Sequence, residues 1–162
     1  MTLNGQGTGG NSGEGTETNV TREVSGTTLT LTNTAVTASA NTITVDLNAQ
    51  GWADKADPTT ITTADGTTIA FSKGEGSNKP VFYANTKGVR MYAKNSLTIT
   101  GSSKAIAKVV LTCDSASGTD YVGNGSLYGT ANGNALTIVN EHSAASGGTQ
   151  LRIQTITITY AQ

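Results

Sequence analysis

Lys73 to Thr100 (KGEGSNKPVFYANTKGVRMYAKNSLTIT) concentrates the side chains of this chain that could recognise a ligand. A shallow sugar site stacks aromatic faces on the apolar side of a pyranose and meets its hydroxyls with Arg, Asn, Lys or Asp. Tyr83, Tyr92 and, earlier in the chain, Trp52 are the stacking candidates, with Asn78, Lys79 and Arg90 as polar partners; Tyr121 and Tyr128 are further rings. Arg90 and Tyr92 share strand parity opposite Val89 and Met91, so they are expected to point to one face together. Each has a plainer reading. Trp52 would also serve as a plug closing one end of the core, and Arg90 as a cation buried under a loop, satisfying carbonyls.

Catalysis needs convergent groups of tuned pKa, and these are scarce. The single histidine, His142, stands in the polar loop NEHSAASGG with no G-x-S-x-G elbow beside it. One His and one Cys cannot supply the three or four ligands zinc takes, and Cys113, at the end of an apolar run, reads as a small hydrophobe. Asp46, Asp54, Asp57, Asp65, Asp114 and Asp120 are scattered and mostly at turns, so no carboxyl pair of the kind a glycosidase uses stands out. The expectation is a protein that is not an enzyme and needs no cofactor. A structural calcium ion held by turn carboxylates is the one cation the acids allow, although no D-x-D-x-D-G spacing occurs.

Bulk composition narrows the partners. Charged residues make up 13% of the chain and the net charge is -1, so there is no basic footprint for nucleic acid. No apolar run approaches the length of a membrane span, which excludes insertion by a helix. A lone cysteine forms no internal disulfide. Export to the cell exterior or surface is expected, with a leader trimmed ahead of the polar start at Met1.

The elements that must position the candidates are strands. Thr is the most abundant residue, and β-branched side chains favour pleated, half-buried surfaces. Residues 1–26 are rich in Gly, Asn, Ser, Thr and Glu and read as a flexible tether to a neighbouring domain or protein partner. From Thr27 apolar residues alternate: Leu29 and Leu31, then Ile43, Val45 and Leu47, then Leu97 and Ile99. Asp65-Gly66 and Asn132-Gly133 predict two hairpins, the first with a type I′ turn and the second with Leu136 and Ile138 facing inward. Ala105 to Thr112, nearly all apolar, predicts a central strand covered on both faces. In the last strand, Leu151 and Ile153 share one parity while Ile156, Ile158 and Tyr160 share the other, which predicts a bulge near Gln154 and Thr155. The whole predicts an all-β, antiparallel, two-sheet sandwich of jelly-roll type over residues 27–162.

The order of segments resembles a β-sandwich domain of secreted and surface lipoproteins of gut Bacteroidetes. The resemblance rests on N-x-P-x-(F/Y)-Y at Asn78 to Tyr83, V-R-(L/M)-Y at Val89 to Tyr92, and R-I-x-x-I-x-(V/I)-x-Y at Arg152 to Tyr160. It covers nearly all of Thr42 to Tyr160, but the closing strand begins Thr149-Gln150-Leu151-Arg152 where the family often has His-Arg-Arg. Asp114-Ser115-Ala116 looks like the O-glycosylation pattern of the same bacteria. What the resemblance implies is a galactose-binding-like or jelly-roll module outside the cytoplasm, with glycan or surface adhesion as its role. The function expected is non-catalytic carbohydrate binding, with a glycan or surface polysaccharide as partner. The alternative is a structural or adhesive surface or virion protein that binds other chains.

Overall fold

The computed structural model describes residues 19–162. It is an antiparallel two-sheet sandwich. In chain order the strands are β1 (Val20–Ser25), β2 (Thr28–Asn33), β3 (Ala38–Asp46), β4 (Ile61–Thr62), β5 (Thr68–Ser72), β6 (Val81–Tyr83) and β7 (Gly88–Met91). They continue with β8 (Ser96–Thr100), β9 (Ile106–Cys113), β10 (Ser115–Ala116), β11 (Thr119–Asp120), β12 (Tyr128–Asn132), β13 (Ala135–Val139) and β14 (Leu151–Ala161). One sheet runs β1-β2-β9-β14-β7-β6 with β3 also on β14; the other runs β12-β13-β8-β5-β4; β10 and β11 form a separate small hairpin.

The core is the space between the two inner faces. Leu29, Leu31, Val109, Leu111, Ile156 and Ile158 come from the first sheet and meet Ile69, Leu97, Ile99, Leu136 and Ile138 from the second. All are fully buried, as the period-two spacing requires. Burying each such side chain contributes roughly 1.5–3 kcal/mol against leaving it in water. The central strand β9 departs from expectation: it lies between β2 and β14, but only one face is packed. Ile106, Val109, Leu111 and Cys113 are inside, while Lys108 and Val110 are half-buried and Thr112 is exposed. A two-layer sandwich leaves the outer face of each sheet to solvent, so Val110 gains only partial cover.

Burial pushes the Cys113 thiol up to about 12, with the Asp114 carboxylate adding to the effect. The native thiol is therefore expected to resist a disulfide reagent at about pH 8 and to react at once when guanidinium unfolds the chain. Rapid labelling of the folded protein would contradict this assignment.

The closing strand β14 contains the expected bulge. Thr112 pairs with Thr155 and Cys113 with Ile153, which leaves Gln154 as the extra residue. The bulge lets one strand serve two neighbours along the same edge: Leu151 to Ile153 pair with β7, and Thr155 to Ala161 with β3. β3 in turn pairs only with β14 among the described strands and carries no Lys, Arg or Pro.

Two further differences concern turns and boundaries. The Asp65-Gly66 hairpin forms, but positive φ occurs only at Gly66. Its loop is a turn closed from Thr63 O to Gly66 N, with the Asp65 carboxylate accepting from Thr67 N. A side chain that organises the loop in this way replaces the type I′ geometry. At Asn132-Gly133 the strands pair up to Asn132 and Ala135, so Gly133, at φ +59°, is the first of two loop residues. Val20–Ser25, inside the stretch expected as tether, is a strand paired with β2 along its whole length. Only Val20 is fully buried there, so the ladder holds β1 with almost no apolar pattern to announce it. The rest of the expected tether, 1–18, lies outside the described residues.

Candidate functional site: a tyrosine–arginine face

The outer face at the β6–β7–β14 end of the first sheet gathers rings and guanidinium groups. On β6, Phe82 turns into the core and Tyr83 to the other side. Val81 pairs with Arg90 across to β7, and Arg90 pairs in turn with Arg152 on β14. Directly opposed residues share a face, so the two arginines stand side by side, a like-charge arrangement that repels. Apart from Arg22, they are all the arginines of the chain.

Aromatic rings and one carboxylate offset that repulsion. The Arg90 guanidinium carbon lies 4.1 Å from the centre of the Tyr83 ring, and that of Arg152 lies 3.6 Å from the Tyr121 ring. Each stack contributes on the order of 0.5–2 kcal/mol. Arg152 has two polar partners: its Nε donates to Gln150 Oε1 at 2.9 Å, and its Nη1 faces Asp114 Oδ2 at 3.6 Å, an ion pair with side chains only 13% and 17% exposed, although Asp114 Oδ2 itself accepts no hydrogen bond. The small β10–β11 hairpin, turning through Ser117 and Gly118 at positive φ, brings both Asp114 and Tyr121 against Arg152, on the edge of β14 away from β7. Arg152 N donates to Tyr121 O at 3.0 Å, and Asp114 N donates to Arg152 O at 3.0 Å. Arg90 differs. Among the described residues it has no carboxylate partner, and its buried Nε has no hydrogen-bond acceptor.

Tyr92 completes the face. Burial first, and then the adjacent Tyr83 hydroxyl, hold its phenol above the ordinary range, while Arg90 and Arg152 pull it back. Its backbone is fixed by buried asparagines. Asn95 Oδ1 accepts from Tyr92 N at 2.8 Å, and Asn95 Nδ2 donates to Lys73 O and Asn78 O. Asn140 Oδ1 accepts from Asn124 N at 2.8 Å and from Asn124 Nδ2 at 3.1 Å, while its Nδ2 donates to Thr149 O at 3.1 Å. Asn124 Oδ1 accepts from Thr149 N. This network joins the turn after β7 to the start of β14, the two segments that carry Tyr92 and Arg152.

Of the six residues expected to form one site, the structure brings together Tyr83, Arg90 and Tyr92 and separates the other three. Trp52 sits on the core side: its ring meets Phe82 edge-on at 5.6 Å, and its Nε1 donates to Thr59 Oγ1 at 3.0 Å. It is half-buried and packs against the core, which is the plug reading. Lys79 pairs with Asp57 at 2.8 Å, both well exposed, beside a shallow depression of about 140 Å³ that includes Pro58 and Phe71. Asn78 is exposed and enters the network through its backbone carbonyl.

Sequence reasoning did not foresee the pairing of Arg152 with Arg90. The signal available was the position of Arg152 between Leu151 and Ile153, which turns it outward before the bulge. A larger depression, about 490 Å³, lies elsewhere, along β3 and the 102–104 loop, with Asn41, Asp65, Lys104 and Tyr160 in its wall. There the Tyr160 hydroxyl meets Thr67 Oγ1 at 2.7 Å and is pushed up to about 12 by burial first, and then by Asp65. Thr63, Tyr160 and Thr67 hold the Asp65 carboxyl well below its usual range. His142 is half-buried in its loop. Among the described residues no group of three His, Cys, Asp or Glu side chains is placed to hold a metal ion, and no helix is long and apolar enough to cross a membrane.

Compared with family models, curated proteins and solved structures, the chain matches none, so what the structure bears out of the resemblance drawn above is the antiparallel sandwich alone.

Proposed function

We propose that this domain is a non-catalytic, extracytoplasmic carbohydrate-binding module of galactose-binding-like or jelly-roll type, using the Tyr83–Arg90–Tyr92 face. The observation that carries the reading is the gathering of three tyrosines and two arginines on one outer sheet face. Rings carried by a sheet offer stacking area at little entropic cost, and guanidinium and phenol groups offer donors to hydroxyls. The second reading, an adhesive or structural protein, is favoured by the edge of β3: nine residues with no charged or proline guard until the last, Asp46. Such an edge accepts a strand from another chain.

An array bearing neutral and acidic glycans, followed by affinity electrophoresis, tests the first reading. Retention on at least one glycan is expected, with Tyr92→Ala lowering affinity about tenfold or more and circular dichroism unchanged. Trp52→Ala is expected to lower stability while leaving the affinity of folded molecules intact. Absence of retention on every glycan, together with self-association that rises with concentration and is abolished by Thr42→Pro, would replace this reading with the adhesive one.

A further inference from the structure

Resting on that reading, we infer that the glycan taken by this face is acidic, its carboxylate received by Arg90. The two arginines are unequal. Arg152 has a carboxylate, a side-chain amide acceptor and a ring; Arg90 has only the ring. A half-buried guanidinium without a counter-ion, placed directly opposite a second one, destabilises the free domain. An arriving carboxylate removes that penalty and accepts two parallel hydrogen bonds from the guanidinium fork, a geometry a neutral sugar cannot use. The Tyr83 ring packs against the guanidinium, its centre 4.1 Å from the guanidinium carbon, and Tyr92 shares the face. Asp114 is ion-paired with Arg152 at 3.6 Å and makes no ion pair with Arg90.

The other candidates are weaker. The large depression beside β3 holds Asp65 and Lys104 of opposite charge and points to no ligand class. The depression around Tyr128 has its lysine, Lys94, already paired with Glu141 at 3.3 Å.

The test is a nuclear magnetic resonance titration of the full chain with sodium glucuronate, glucose and sodium acetate in parallel. Glucuronate is expected to shift the Arg90 side-chain and Tyr92 signals, at an affinity at least about tenfold above either of the others. That affinity should fall about tenfold or more in Arg90→Gln, partly in Arg90→Lys, and not in Arg22→Gln, and it should weaken as salt rises. Should Arg90→Gln fail to fold, Arg90→Lys and the salt series carry the same comparison. Equal binding of glucose and glucuronate would overturn the acidic preference and leave the glycan reading standing. Equal binding of acetate and glucuronate would overturn both, since the sugar ring would then contribute nothing. No shift with any of the three would likewise remove both.

Discussion

Asn140→Ala is expected to destabilise the domain by roughly 3–4 kcal/mol, because truncation strands several buried groups at once. The carboxamide is fully buried; its loss would leave Asn124 N, Asn124 Nδ2 and Thr149 O without their partners. Met91 O and Tyr92 O, both 3.4 Å from Asn140 Nδ2, would lose a weaker donor as well. Each stranded group costs about 1–3 kcal/mol, and partial relaxation keeps the total below the simple sum. Urea unfolding monitored by tyrosine and tryptophan fluorescence reads the change as a lower midpoint at constant slope. The same variant should also bind more weakly, since Tyr92 and Arg152 are carried by the two segments the amide joins. A loss below about 1 kcal/mol would mean that water takes over these partners and that the network does not position the face.

Gly88→Ala follows closely in size, at about 3 kcal/mol, or a melting temperature lower by about 10 °C for a domain of this length. A Cβ at Gly88 would overlap the backbone carbonyl oxygen of Ile153 and press on Gln154 Cα. Neither neighbour is the free end of a side chain, so relief requires β7 to move away from β14. The bulged residue lies at this contact: Gln154 Cα is one of the atoms a Cβ at Gly88 would meet, and its side chain reaches Thr86 O at 2.9 Å. Differential scanning calorimetry of the variant measures the loss, and unchanged melting would show that the two strands separate easily. Because Gly88 pairs with Tyr83 and lies two residues before Arg90, the substitution is also expected to spread the stacked pair.

What could be read from the chain follows from how local each signal is. Alternation within five or six residues identified the inward faces of β2, β8 and β13, since Leu29, Leu31, Leu97, Ile99, Leu136 and Ile138 answer only to their own strand. The break of parity between Ile153 and Ile156 is equally local, and it located the bulge. By contrast, β1 announces itself through no apolar pattern and exists because β2 offers a ladder, which is a long-range fact about the sheet. The turn at Asp65 went differently because a side chain accepts the loop's own N–H groups, and the dipeptide alone does not reveal that. For the face, parity within one strand placed Arg90 with Tyr92, whereas the neighbours Arg152 and Tyr121 depend on strand order and register. Trp52 and Lys79 were grouped with the rest by residue type; Phe82 draws one inward and Asp57 holds the other apart. The three buried asparagines of the network, Asn95, Asn124 and Asn140, lie in loops, and nothing in their immediate sequence distinguishes them from solvated ones.

The way β14 serves β9 along one edge, and β7 and β3 along the other, has a kinetic consequence. It is the last of the described strands to be synthesised, yet three others depend on it for their pairing. Until it emerges, β3 and β7 have exposed backbone and β9 lacks one neighbour, so most of the first sheet waits for contacts distant in sequence. Closure of the first sheet is therefore expected to be slow, its rate set by pairings between segments far apart in the chain.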